Sequence, residues 1–73
     1  MALIDQVEEF QVTMNKVLEL VEETKGLAAQ IPNMSISEAP AKMRTIFDLC
    51  ADAVTGLQNA ASQAEDIQRM LGG

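Results

Sequence analysis

The stretch LIDQVEEFQVTMNKVLELVEETKGLAAQI, residues 3–31, decides the fold. Within it Leu3, Val7, Phe10, Met14, Val17, Val21, Thr24, Ala28 and Ile31 follow one another at alternating steps of four and three. That seven-residue repeat is the pattern of a helix laying one seam against a neighbouring helix. Only Thr24 breaks the seam's apolar character. Asp5, Glu8, Glu9, Glu19, Glu22 and Glu23 fall on the opposite, solvent side, and Asp5 in the first turn suits the positive end of the helix dipole. Glu22 and Lys25 stand three apart, the spacing of a supporting ion pair. A helix is predicted over about 2–30. Gly26 is its weak point, since glycine inside a helix costs about 1 kcal/mol relative to alanine.

The apolar surface is broader than one seam. Ile4 and Leu18 flank it on one side, Leu20 and Leu27 on the other. A stripe of this width belongs to a helix that touches more than one neighbour, as in a three- or four-helix bundle.

Ile31-Pro32-Asn33-Met34 interrupts the pattern. Proline has no N–H to donate and pushes Ile31 out of helical geometry, and Asn33 suits a turn. A turn is predicted over about 31–36. Ser35, with Glu38 three residues on, is a capping box for a second helix; Ser37 is the rival cap. Pro40 then falls in the first turn, where its missing N–H does little harm. The second helix is predicted over about 37–71. Met43, Cys50, Leu57, Ala64 and Leu71 recur every seven residues; Ile46, Ala53, Ala60 and Ile67 form a second row, widened by Phe47, Val54 and Ala61. The residues from Ala51 to Ala64 are rich in alanine and contain Gly56, so the closest approach of two helix backbones is expected there. Gly72-Gly73 end the helix in the usual way.

Two helices of similar length joined by a short connection fold back on each other. The expected architecture is all-α: one domain, residues 1–73, an antiparallel helical hairpin that pairs into a four-helix bundle or a larger helical oligomer. Size gives a reason for the pairing. A compact chain of 7.9 kDa buries roughly 7,000 Å², and if about 60% is apolar the gain is about 105 kcal/mol. Ordering the chain costs about 110 kcal/mol. The terms cancel, so a chain this small needs a staple. One cysteine and no histidine rule out an internal disulfide and a familiar zinc site. Oligomerisation remains.

The chemistry available is sparse. There is no histidine, tyrosine or tryptophan, and Cys50 is the one strong nucleophile. It falls on the row read as inward, where a free cysteine behaves as a small hydrophobe. The pairs Glu8-Glu9 and Glu22-Glu23 diverge, because adjacent residues on a helix point about 100° apart. No catalytic, cofactor or metal residues are expected. Met14 and Met43 read as core fillers, and Met34 and Met70 as the exposed methionines. A net charge of −6 argues against nucleic acid and against an anionic membrane as partners. No apolar run approaches the length of a membrane helix, and the N-terminus does not read as a secretion signal. The cytoplasm is the expected compartment, although a leaderless exported protein reads the same way.

These features point to a non-enzymatic interaction or assembly protein, a small subunit, adaptor or chaperone of a larger bacterial or phage complex. It would self-associate, with a dimer favoured, and dock helices of its partners. Ile4, Leu18, Leu20, Leu27, Leu49 and Met70 are the expected interface residues. The alternative is a small acidic inhibitor or decoy that covers a basic, for example nucleic-acid-binding, protein surface with Glu8, Glu9, Glu22 and Glu23.

Overall fold

The computed structural model describes residues 2–72. Helix α1 spans Leu3–Gln30 and helix α2 spans Ala39–Met70, with a single 3₁₀ turn at Ile31–Asn33 between them. The two long helices pack against each other, and there is no strand among the described residues. The result is the antiparallel hairpin. It is a rod of 54 × 16 × 14 Å with a radius of gyration of 16.6 Å, against about 11 Å for a globular domain of this length.

Local chemistry accounts for the boundaries. α1 runs through Gly26 to Gln30; against expectation Pro32 does not push Ile31 out of helical geometry, because Ile31 keeps φ −54°, ψ −45° and opens the 3₁₀ turn. Met34, just beyond the 3₁₀ turn, is extended at φ −89°, ψ 152°. The Ser35 hydroxyl accepts a hydrogen bond from the Glu38 N–H at 3.3 Å, and the Ser35 carbonyl accepts from Ala39 N–H at 3.0 Å. This is half of the expected capping box, and it forms a turn ahead of the helix; α2 itself begins at Ala39, two residues later than the predicted start. Ser37 does not cap but shares a 3.0 Å hydrogen bond with Ser35. Pro40 sits in the first turn. At the far end Gly72 takes φ +81° and its N–H reaches the Arg69 carbonyl, the left-handed stop that glycine allows. Gly73, the second glycine of the predicted stop, lies outside the described residues.

The side of each helix that faces the other differs from the predicted seam. In α1 the covered residues are Gln6, Val7, Phe10, Thr13, Val17, Leu20, Thr24 and Leu27, continuing to Ile31. Of the predicted seam, Val7, Phe10, Val17, Thr24 and Ile31 are covered, whereas Leu3, Met14, Val21 and Ala28 are exposed. In α2 the seam is formed by Ile46, Leu49, Ala53, Gly56, Ala60, Gln63 and Ile67, and Ala39 and Asp66 are also partly covered. The row Met43, Cys50, Leu57, Ala64 and Leu71, read from sequence as inward, is exposed along its whole length. Cys50 is therefore a surface cysteine, and Met14 and Met43 are not core fillers.

Small residues explain the rotation. Ala53 and Ala60 are buried, and Val17, at 5% exposure, packs onto Gly56 so closely that a Cβ on Gly56 would lie 2.6 Å from Val17 Cγ2. Turning the alanine–glycine strip inward lets the two backbones approach in the Ala51–Ala64 region, as the sequence suggests. The larger side chains of α2 are left on the outside. Thr24 is tolerated in the seam because its hydroxyl donates to the Leu20 carbonyl at 2.7 Å, which satisfies it within its own helix.

Candidate interaction surface

Two sides of the hairpin remain, and they differ in chemistry. Lys16 immediately precedes Val17, Asp52 precedes Ala53 and Asn59 precedes Ala60. These three, with Val12, Thr13, Val17, Thr55 and Gly56, line one open groove of about 290 Å³. An antiparallel pair has an approximate two-fold axis normal to the plane of its helices, so equivalent helical positions fall on the same side. The residues four along from each seam residue must then converge on the opposite side. Those are Val21 from Val17, Leu57 from Ala53 and Ala64 from Ala60.

That second side is apolar through its middle, with Gln11 and Lys25 continuing the α1 row on either side of Met14, Leu18 and Val21. On α1 it carries Ile4, Met14, Leu18 and Val21; on α2 it carries Met43, Phe47, Cys50, Val54, Leu57, Ala61 and Ala64. All of these are exposed. Phe47 is 65%, Leu18 57% and Val54 53% accessible. On each helix these positions again recur at steps of four and three: 14, 18 and 21 on α1, and 43, 47, 50, 54, 57, 61 and 64 on α2. Each helix thus bears two seams about 100° apart. One is used within the hairpin and one is not.

The six residues expected at an interface divide between the two. Ile4 and Leu18 lie on the exposed apolar side. Leu20, Leu27 and Leu49 are half-buried in the seam inside the hairpin. Met70 is exposed at the end of α2, in phase with the inner seam. The residues that complete the surface, Met14, Val21, Met43, Phe47, Val54 and Leu57, were read from sequence as hairpin core. The signal for them was present in the third apolar row of each helix, but nothing in one helix says which two of three rows turn inward.

Charged groups frame this face, and on α1 Lys25 enters it, four residues after Val21 in the same row. Arg44 lies at its edge, bridged to Asp48 at 3.6 Å and with its guanidinium 5.7 Å from the centroid of the Phe47 ring. Arg69 bridges Glu65 at 3.7 Å and Asp66 at 3.1 Å. The Glu22–Lys25 pair forms at 3.9 Å. All are solvent-exposed, and exposed pairs of this kind are worth at most about 1 kcal/mol each. Asp5, Glu8, Glu9, Glu19, Glu22 and Glu23 are exposed as expected.

Among the described residues no cluster of three or more cysteine or acidic side chains is arranged to hold a metal ion, and no helix is long and apolar enough to cross a membrane. Comparison with protein-family models, curated proteins and solved structures finds none that matches the chain.

Proposed function

We propose that this is a non-enzymatic assembly protein, a helical hairpin that acts in the cytoplasm by laying its exposed apolar face against other helices, first of all those of its own kind. The observation that carries this reading is the imbalance between what the hairpin covers and what it leaves open. Among the described residues only Val17, Ala53 and Ala60 are buried, and no side chain is fully enclosed. The chain exposes 5351 Å², about a fifth more than the roughly 4,400 Å² expected of a globular protein of its mass. Monomeric proteins rarely leave a contiguous apolar surface of this extent uncovered. The mechanism is helix-against-helix packing: the second seam supplies affinity, and the polar groove side and the acidic outer rows keep the assembly soluble. The residues available for chemistry support the non-enzymatic part, since Cys50 sits on this same apolar face among Phe47, Val54 and Leu57.

Molar mass by light scattering across a dilution series, with helix content followed by circular dichroism, tests the reading. The expected result is a mass of at least twice 7.9 kDa at micromolar concentration, with helicity and mass falling together on dilution. A fully helical monomer throughout the series would overturn it.

A further inference from the structure

We propose that the occupant of the exposed apolar face is a second copy of the chain, docked face to face with its turn at the opposite end, so that α1 lies along α1 and α2 along α2 of the partner subunit. The inference rests on the self-association reading above and adds the identity, sense and register of the contact.

Area is the first argument. The face is 54 Å long and 16 Å wide, roughly 860 Å² in projection, which matches the ~800 Å² that each partner contributes to a standard interface. A single long helix would cover half of it. A second hairpin covers all of it.

Register is the second. Val17 lies against Gly56, so residues whose numbers add up to about 73 stand level along the rod. Leu18 and Val54 are then level, at the middle of the face and nearly at the middle of both helices. A two-fold axis passing between them, perpendicular to the rod and in the plane of the contact, brings each beside its own copy. Along α2 it sets the bulky half against the small half, with Met43 and Phe47 beside Ala61 and Ala64 of the partner subunit. Large against small is what lets facing seams interdigitate.

Charge chooses between the two senses of docking. A hairpin docked with its turn at the same end would run α1 along the partner's α2, placing Glu8 level with Glu65 of the partner subunit on the same rim, twice by symmetry. With the turns at opposite ends, Arg44 instead comes level with Glu65 of the partner subunit, also twice, while Glu8 faces Ala29 and Glu22 faces Asn15. The second arrangement replaces two repulsive pairs with two attractive ones. Rim charges of this kind set orientation more than affinity.

The test places a nitroxide label on the turn by Ile36→Cys in a Cys50→Ser background; Ile36 is 92% exposed. Dipolar spectroscopy on the full chain is then run at a concentration where light scattering reports the dimer. The expected label separation is close to the 54 Å rod length. A dimer with labels no farther apart than the 16 and 14 Å cross-sections of two hairpins would overturn the docking sense and leave self-association standing. If light scattering finds only monomer at every concentration, both are overturned. Charge exchange in the otherwise native chain gives a second readout. Arg44→Glu and Glu65→Arg should each weaken the dimer about tenfold, counting two symmetric pairs at up to ~1 kcal/mol apiece, and the double exchange should restore it. Single exchanges without effect, or a double exchange that weakens further, would overturn the Arg44–Glu65 register.

Discussion

Val17 of α1 packs directly onto Gly56 of α2: a Cβ on Gly56 would stand 2.6 Å from Val17 Cγ2. Val17 is buried and β-branched, so its rotamer in a helix is stiff and cannot swing aside. Gly56→Ala gains up to about 1 kcal/mol of helix propensity, but relieving the overlap costs about 1–3 kcal/mol. The expected net effect is destabilisation of about 1–2 kcal/mol. In urea unfolding at fixed protein concentration, pairing it with Val17→Ala should give less than the sum of the two single losses, because each substitution removes the other's conflict.

The other helical glycine has the opposite prospect. Nothing lies within 4 Å of a Cβ on Gly26, and α1 runs through it with helical backbone. Gly26→Ala should therefore stabilise the protein by about 1 kcal/mol, seen as a higher urea midpoint at unchanged slope. A loss of stability would mean that the assembled state occupies the space at Gly26.

Leu18 and Val54 cost the isolated hairpin little, since both are more than half exposed. In the proposed dimer each is covered twice by symmetry. Replacing either with Glu removes about 2 kcal/mol of apolar burial per copy and should raise the dimer dissociation constant about a hundredfold or more. The same substitution at Asn59, on the groove side, should leave it nearly unchanged. Equal effects at Leu18 and Asn59 in analytical ultracentrifugation would refute the assignment of the sticky side.

Inside the hairpin, Gln63 Oε1 is buried with no hydrogen-bond partner, at the level of Phe10. An unsatisfied buried acceptor carries a penalty of about 1–3 kcal/mol. Gln63→Met keeps the shape and removes the acceptor, and a gain of about 1 kcal/mol in unfolding free energy is expected at matched protein concentration.

Much of this molecule is written locally. The proline after Ile31, the Ser35 hydroxyl, Pro40 in the first turn of α2 and the left-handed Gly72 set where the helices begin and end, because each acts on backbone groups within a few residues. The seven-residue spacing announces that each helix packs lengthwise on another. The solvent rows of α1 were legible for the same reason, since six acidic side chains on one surface cannot be buried. What could not be read was rotation about the helix axis. α1 has Phe10 and Val17 in one row, Leu20 and Leu27 in a second, and Met14 and Val21 in a third, all apolar, and two of these rows make a seam in either of two ways.

The sequence by itself determined the hairpin, the approximate bounds of its helices and its alanine-rich crossing. Only the tertiary structure decided which rows meet. Ala53, Gly56 and Ala60 let the backbones close on Val17, and that approach turns Met43, Phe47, Val54 and Leu57 outward. Close packing depends on the shapes of both helices at once, so neither helix's periodicity contains it.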